Sequence, residues 1–205
     1  LALAALLLTV PFVAEAQPAR RPYRIGVLNE AFAATHPTVE GLKAGLREAG
    51  LAEGRDVSFD VRFTEGDAQA TRAAAAALMK AGVDLIVTSQ DGPTQAAKDA
   101  TKTVPIVFTL VGDPIAAGLV TNLAEPEANV TGVSSLQTEL AAKRLEVLKT
   151  LCPSLRRVWL IHYGGALTAN KMVTKAREAI CRAPDTRVHV ATRPADREPC
   201  ASFGG

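Results

Sequence analysis

With 23 basic and 21 acidic side chains in 205 residues, the chain carries a formal charge of +2, which offers no broad basic surface of the kind nucleic acid needs. Hydrophobic residues make up 48% and aromatic ones only 4%, a balance that suits Ala-rich helices packed on Val/Ile/Leu strands. The three cysteines, Cys152, Cys181 and Cys200, match no zinc or CxxC spacing and read as buried or incidental thiols rather than as one pair plus a free thiol.

Residues 1–14 form a short apolar run that ends in Ala14-Glu15-Ala16, a small-x-small pattern of the kind signal peptidase cuts, followed by polar Gln17-Pro18. Residues 1–16 are therefore read as a partial secretory signal and residues 17–22 as a linker. The run is shorter than the ~20 residues a membrane span needs, and no cysteine follows Ala16 to take a lipid. No Met or basic segment precedes Leu1, so the chain is expected to begin inside the signal. Removing the signal takes away one acid, Glu15, and leaves a charge of +3.

From there strands and helices alternate. Residues 23–28 predict a buried strand, followed by a loop at 29–35. Val39, Leu42, Leu46 and Ala49 recur at helical spacing from His36, with Gly50 as the stop. Residues 57–63 alternate apolar and polar, as an edge or half-exposed strand does. An Ala-rich helix over 67–81 leads to a buried strand at 84–88. Residues 89–94 predict a loop opening a short helix that runs to about Thr101. Further strands are expected at 106–110, 129–133, 157–163 and 187–191, with helices at 115–123, 139–151 and 168–181. The pattern predicts βαβ units and a parallel sheet flanked by helices, a Rossmann-like α/β lobe. Residues 23–150 make the first lobe, residues 151–192 begin a second that is incomplete, and residues 193–205 are an irregular tail. A two-strand stub buries too little to stand alone, so the chain reads as a fragment with its second lobe truncated. Pro153, near the crossover at 151–154, marks the expected hinge.

In an open α/β sheet, ligands bind outside the carboxyl ends of the strands, and the candidate site residues are taken from those ends. Asn29 and Glu30 follow the first strand. Ser89, Gln90, Asp91, Gly92 and Thr94 lie where a strand gives way to a helix whose amides and dipole favour a carboxylate, with Asp91 either capping the helix or facing a ligand amine. Gly112 permits close backbone approach, and Asp113 before Pro114 is both a ligand candidate and a natural N-cap, the role that capping statistics favour. Ser134, with Ser135, closes the rim on the first lobe, and Tyr163 lies at a strand end in the second. Trp159, inside an apolar strand, reads as core. Glu139, Lys143, Arg144 and Glu146 form a solvated helix face with an i,i+4 pair, a surface on which a permease can dock. His36, His162 and His189 lie far apart without ligand spacing, so no metal is expected; nucleophile elbow, Walker and dinucleotide motifs are absent, so neither a cofactor nor a catalytic residue is assigned.

Gly50-Leu-Ala-Glu-Gly-Arg-Asp-Val57, Leu85-Ile-Val-Thr88, Thr103-Val-Pro-Ile-Val-Phe108 running into Val111-Gly-Asp-Pro114, Gly118-Leu-Val120, Leu123-Ala-Glu-Pro126, Asn129-Val-Thr-Gly-Val-Ser134 and Glu139-Leu-Ala-Ala-Lys-Arg-Leu-Glu-Val-Leu-Lys149 occur in that order. Together they resemble the ABC transporter substrate-binding proteins of the tryptophan/tyrosine-uptake type, over about Arg21 to Trp159. The resemblance implies a two-lobed periplasmic binding protein that closes on a small organic ligand and delivers it to an inner-membrane permease with its ATPase, an aromatic amino acid being the first guess. The alternative is an extracytoplasmic ligand-sensing domain of a signalling receptor, since one fold serves both roles. A secreted α/β enzyme is a third reading, disfavoured by the missing motifs.

Overall fold

The computed structural model describes residues 21–31, 36–124, 129–163, 171, 174–176 and 187–193. Five strands, β1 (Tyr23–Asn29), β2 (Val57–Phe63), β3 (Leu85–Ser89), β4 (Ile106–Val111) and β5 (Val130–Ser134), form one parallel sheet in the order β2-β1-β3-β4-β5. Helices α1 (Pro37–Glu48), α2 (Ala68–Lys80) and α3 (Asp91–Ala100) alternate with the first four strands, and α4 (Gln137–Leu151) follows β5. Strands β6 (Arg157–Tyr163) and β7 (Arg187–Arg193) pair in parallel as a second sheet. Among the described residues, no helix is long and apolar enough to cross a membrane.

The sheet is apolar on both faces because helices cover both. Ile25, Val27 and Val87 pack with Val39 of α1 on one side, while Leu28, Ile86, Ile106 and Phe108 pack with Ala75 and Leu78 of α2 and Ala96 and Ala97 of α3 on the other. Each fully buried Leu or Ile is worth about 1.5–3 kcal/mol relative to exposure, so Leu28, Leu78, Ile86 and Ile106 anchor this layer. Gly26 lets α2 sit close, since a Cβ there would meet both Leu78 methyls at 3.1 Å. The half-exposed alternation of residues 57–63 matches the edge position of β2.

The ends of the helices follow their chemistry. His36 caps α1, its Nδ1 accepting from the Thr38 amide, and Asp67 caps α2 by accepting from the amides of Gln69 and Ala70. Gly50 (φ 84°) and Gly82 (φ 67°) follow these two helices in the left-handed conformation that glycine adopts without strain.

Four expectations change. The helix expected at 115–123 is a set of turns: Asp113 accepts from the Ala116 amide, Gly118 donates to the Ile115 carbonyl, and Gly118 (φ 68°) ends the turn before a helix can propagate. The loop expected at 89–94 shrinks to one residue, Gln90, because β3 runs through Ser89 and α3 begins at Asp91. Trp159 is not core but 64% exposed, with Ile161 at 65%, because the β6–β7 pair leaves that face uncovered among the described residues; Trp159 stacks instead on its register partner His189, ring centroids 4.8 Å apart. Glu139 does not pair with Lys143, which binds Glu146 at 3.0 Å; Glu139 faces Lys175 at 3.5 Å. Cys152 is an exposed free thiol. The signal segment 1–16, Cys181, Cys200, most of the helix expected at 168–181 and the tail beyond residue 193 lie outside the described residues.

Gly132 of β5 pairs with Phe108, and a Cβ there would lie 2.2 Å from the Phe108 carbonyl oxygen and 2.6 Å from its ring. Gly132→Ala is therefore expected to destabilise the sheet by about 1–3 kcal/mol or more, as overpacking does. A denaturant midpoint equal to that of the unsubstituted protein would show that β4 and β5 do not approach so closely.

Candidate functional site

Parallel pairing brings every strand's carboxyl end to one edge. The register sets Phe63, Asn29, Ser89, Thr109 and Val133 side by side across the five strands. The strand order reverses between β1 and β3, and open α/β sheets bind ligands at such a switch point. Asn29 and Glu30 from β1 and Ser89, Gln90, Asp91 and Gly92 from the β3–α3 junction flank that point.

The junction is strained. Gln90 has φ 77° and ψ 173°, a region essentially reserved for glycine, at a cost of about 1–3 kcal/mol. Its neighbours hold it there. The Gln90 amide donates to the Thr109 carbonyl at 2.9 Å, and Thr94 Oγ1 lies 2.6 Å from the Gln90 carbonyl and 2.8 Å from Thr88 Oγ1. A hydroxyl has one proton, so Thr94 donates to Gln90 and accepts from Thr88. Thr94 is fully buried, and its hydroxyl braces the junction from below. The other described non-glycine residues with positive φ, Glu65, Leu110 and Leu136, also lie at or just past strand ends, those of β2, β4 and β5. Unlike α1 and α2, helices α3 and α4 start behind residues, Gln90 and Leu136, that make no side-chain cap bond.

Asn29 and Ser89 are both buried. Asn29 Oδ1 accepts from the Ala31 amide at 2.9 Å and Nδ2 approaches His36 Nδ1 at 3.4 Å, which ties the end of β1 to the cap of α1. Asp91 Oδ1 accepts from the Gly112 amide at 3.3 Å and so links the ends of β3 and β4. Glu30 leans over α3, its Oε2 3.2 Å from where a Cβ on Gly92 would sit. Burial pushes the Glu30 carboxyl above its ordinary value, and the nearby Asp91 charge pushes it further. No cation offsets this among the described residues.

Asp113 is shifted the other way. Burial alone would raise its pKa, but the hydrogen bond from Lys171, the Ala116 amide, the Lys171 charge and the Ile115 amide together hold it below the ordinary carboxylate value. It thus caps the turn, as capping statistics anticipated, and also pairs with a lysine from beyond β6. Ser134 Oγ and Ser135 Oγ both donate to the Val111 carbonyl, at 3.0 and 3.2 Å, and Ser134 Oγ accepts from the Leu136 amide. These hydroxyls shape the end of β5. Thr109 Oγ1, in the strand-end row, and Thr138 Oγ1, in the first turn of α4, are buried without a partner among the described residues. Tyr163 ends β6, and its side chain lies outside the described residues.

The structure thus gathers Asn29, Glu30, Ser89, Gln90, Asp91, Gly92 and Gly112 around the ends of β1, β3 and β4, with Asp113 and Ser134 farther along the same edge. Sequence reasoning missed His36, whose place two residues before a helical Thr amide is a capping signal, and Thr88, one of an alternating pair with Gln90 at a strand end. It also missed Lys171, for which only the Lys171/Lys175 helical spacing was a cue. Among the described residues, no group of three or more His, Cys, Asp or Glu side chains is placed to hold a metal.

Residues 31–196 match the family described as ABC transporter substrate binding protein, and the chain belongs to that family. It is similar to the tyrosine-binding protein of Clostridioides difficile (strain R20291), 34% identical over 131 residues, a match covering 62% of this chain and 37% of that protein. Among solved structures it is similar to a conserved domain protein from Vibrio cholerae O1 biovar El Tor, at 27% identity and a TM-score of 0.76, covering 84% of this chain and 58% of that one. It also resembles the ABC domain from Streptococcus pneumoniae in complex with L-Trp, at 27% identity and a TM-score of 0.73, covering 84% and 57%. The chain therefore spans between about a third and three fifths of the length of these relatives. These neighbours are periplasmic-binding-protein-like, and the α/β architecture read from the sequence is that of the five-stranded lobe.

Gln90→Gly is expected to raise stability by about 1 kcal/mol, the strain released less the ~0.5–1 kcal/mol of glycine's added backbone entropy, or about 2–4 °C in Tm for a chain of this size. A lower Tm would mean that the Gln90 side chain stabilises the junction more than its backbone strains it. Because the folded Glu30 pKa is raised, its contribution is favourable below the unfolded value of about 4.3 and is lost as pH rises through the folded pKa. Glu30→Gln is therefore expected to be the more stable protein at pH 7 and to lose that advantage below about pH 4. Thermal melts across pH check the sign, and a destabilised variant at pH 7 would point to a cation partner for Glu30.

Proposed function

We propose that this member of the ABC transporter substrate-binding family captures a small organic solute carrying an ammonium group, with aromatic amino acids first among the candidates, and hands it in the periplasm to an inner-membrane permease driven by its ATPase. The observation that carries this reading is the position of Glu30 beside Asp91 at the β1/β3 switch point, with no neutralising cation for Glu30 among the described residues. An ammonium placed there relieves both the desolvation of Glu30 and its repulsion by Asp91. The names of two relatives, one tyrosine-binding and one crystallised with L-Trp, support an amino acid as the ligand.

The same acids revise the sequence-based placing of the solute's carboxylate at the start of α3. Asp91 already supplies the negative charge that a helix N-terminus favours, and a second anion beside it would be repelled. The carboxylate is left to the ends of β4 and β5. The β4 end lies one strand spacing of about 4.8 Å from β3, within reach of an amino acid's backbone. There Thr109 Oγ1 is unpartnered among the described residues, and farther on α4 starts without a side-chain cap. Closure of two lobes about residues 152–156, with Pro153 in the turn, would shut the solute in.

Calorimetric titration of the purified protein with L-tyrosine, L-tryptophan and their deaminated acid analogues tests the reading. Saturable binding of the amino acids and none of the analogues is expected, with Glu30→Gln weakening amino-acid binding about ten- to hundredfold, as loss of a charge-assisted hydrogen bond does. Equal binding of the deaminated analogues would remove the ammonium argument. Absence of heat with either amino acid would move the weight to a sensor of another solute, and consumption of the solute would move it to an enzyme.

A further inference from the structure

Lys171 and Lys175 are four residues apart at helical positions, so they share a helical face. They meet acids from two different elements of the five-stranded unit. Lys171 Nζ donates to Asp113 Oδ2 in the turn after β4, and Lys175 Nζ lies 3.5 Å from Glu139 in the first turn of α4. Both lysines come from the chain beyond β6, whose sheet is separate from that of β4. The chain passes from α4 into β6 through the short turn at 152–156, where Leu155 N donates to the Cys152 carbonyl at 3.0 Å.

We infer that these two ion pairs form a charge clasp that draws the two α/β units together before any solute binds. Three features carry the inference. Both pairs join segments far apart in sequence, 58 residues for Asp113 and Lys171. They share one helical face, so loss of one leaves the other aligned. The Asp113 side chain is mostly buried and Lys171 only partly exposed, so the first rung is screened less than a pair on an open surface. The clasp also neutralises Asp113, which sets it apart from Glu30 on the other half of the rim.

Small-angle scattering of the ligand-free protein tests this without reference to any solute. Between about 0.01 M and 1 M salt the Debye length falls from about 30 to about 3 Å, and the radius of gyration of the unsubstituted protein is expected to rise across that range. The variant carrying Lys171→Met and Lys175→Met, which keeps the aliphatic stems, is expected to show the expanded radius already at low salt and to lose the salt response. Circular dichroism confirms that it is folded. Exchanging the second rung, Glu139→Lys with Lys175→Glu, is expected to retain the salt response and the compact radius. An unaltered radius and salt response in the double Met variant would overturn the clasp, and so would loss of the response in the exchanged variant. A second arm rests on the proposed amino-acid ligand: the Met variant is expected to bind L-tyrosine about two- to fivefold more weakly, the scale that one or two such pairs can shift. Failure of both proteins to bind L-tyrosine, with the scattering result intact, would count against the proposed ligand and not against the clasp.

Discussion

A parallel sheet forces every strand to finish on one edge, and the chain must turn there into a helix that packs back on the sheet. The turn from β3 into α3 is completed in a single residue, Gln90, because Ser89 is still paired with Asn29 and Thr109 while Asp91 already belongs to the helix. That residue cannot relax to an ordinary conformation without unpairing one or the other. The buried Thr88–Thr94–Gln90 hydroxyl relay and the Gln90–Thr109 backbone bond absorb the strain. The rest of the rim depends on this turn, since it sets Asp91 against the Gly112 amide and leaves room over Gly92 for Glu30.

Two carboxylates on this rim are shifted in opposite directions, and the difference sorts the edge into two halves. Glu30 faces another acid and is raised; Asp113 faces Lys171 and two amides and is lowered. Burial acts in the same sense on both, so the partner decides the outcome. Near the β1/β3 switch point Glu30 meets no cation among the described residues. After β4 its charge is already satisfied. On the proposed reading, a solute with a positive group would be drawn to the first half, while the second half would supply Asp113 to the proposed clasp.

Most of the sheet was legible because buried parallel strands read as short apolar runs and their flanking helices carry a 3.6-residue period. Residues 57–63 even announced their edge position by alternation. What was not legible depends on tertiary partners. Residues 115–123 have an apolar helical pattern, but Leu119 of that segment is recruited into the core by a turn ending at Gly118. Trp159 looked like core because its strand is apolar, yet an apolar strand buries both faces only when layers cover both. Of the site, strand-end positions were readable from topology alone. The division of labour was not: Thr94, Ser134 and Ser135 have the chemistry of ligand contacts but direct their hydroxyls into backbone carbonyls, and which of two acids meets a lysine from 58 residues away has no local signature.

The strained Gln90, and Glu30 without a cation among the described residues, are both expected to make the free protein less stable than its sheet and core would allow. Neither helps folding. Their persistence is intelligible if a bound cation lowers the Glu30 penalty, because a ligand that binds only the native state stabilises it by RT ln(1 + [L]/Kd) and offsets what the empty site gives up. The two features differ in how much they can recover. Backbone strain at Gln90 is fixed by the register of β3 and stays whether the site is empty or filled. The Glu30 penalty is electrostatic and reversible, so under the proposed function it would be the source of binding free energy that a neutral solute of the same shape could not claim. On the proposed reading, the selectivity of this edge for charge over shape would therefore rest on Glu30, which the fold buries beside a second acid and which meets no cation among the described residues.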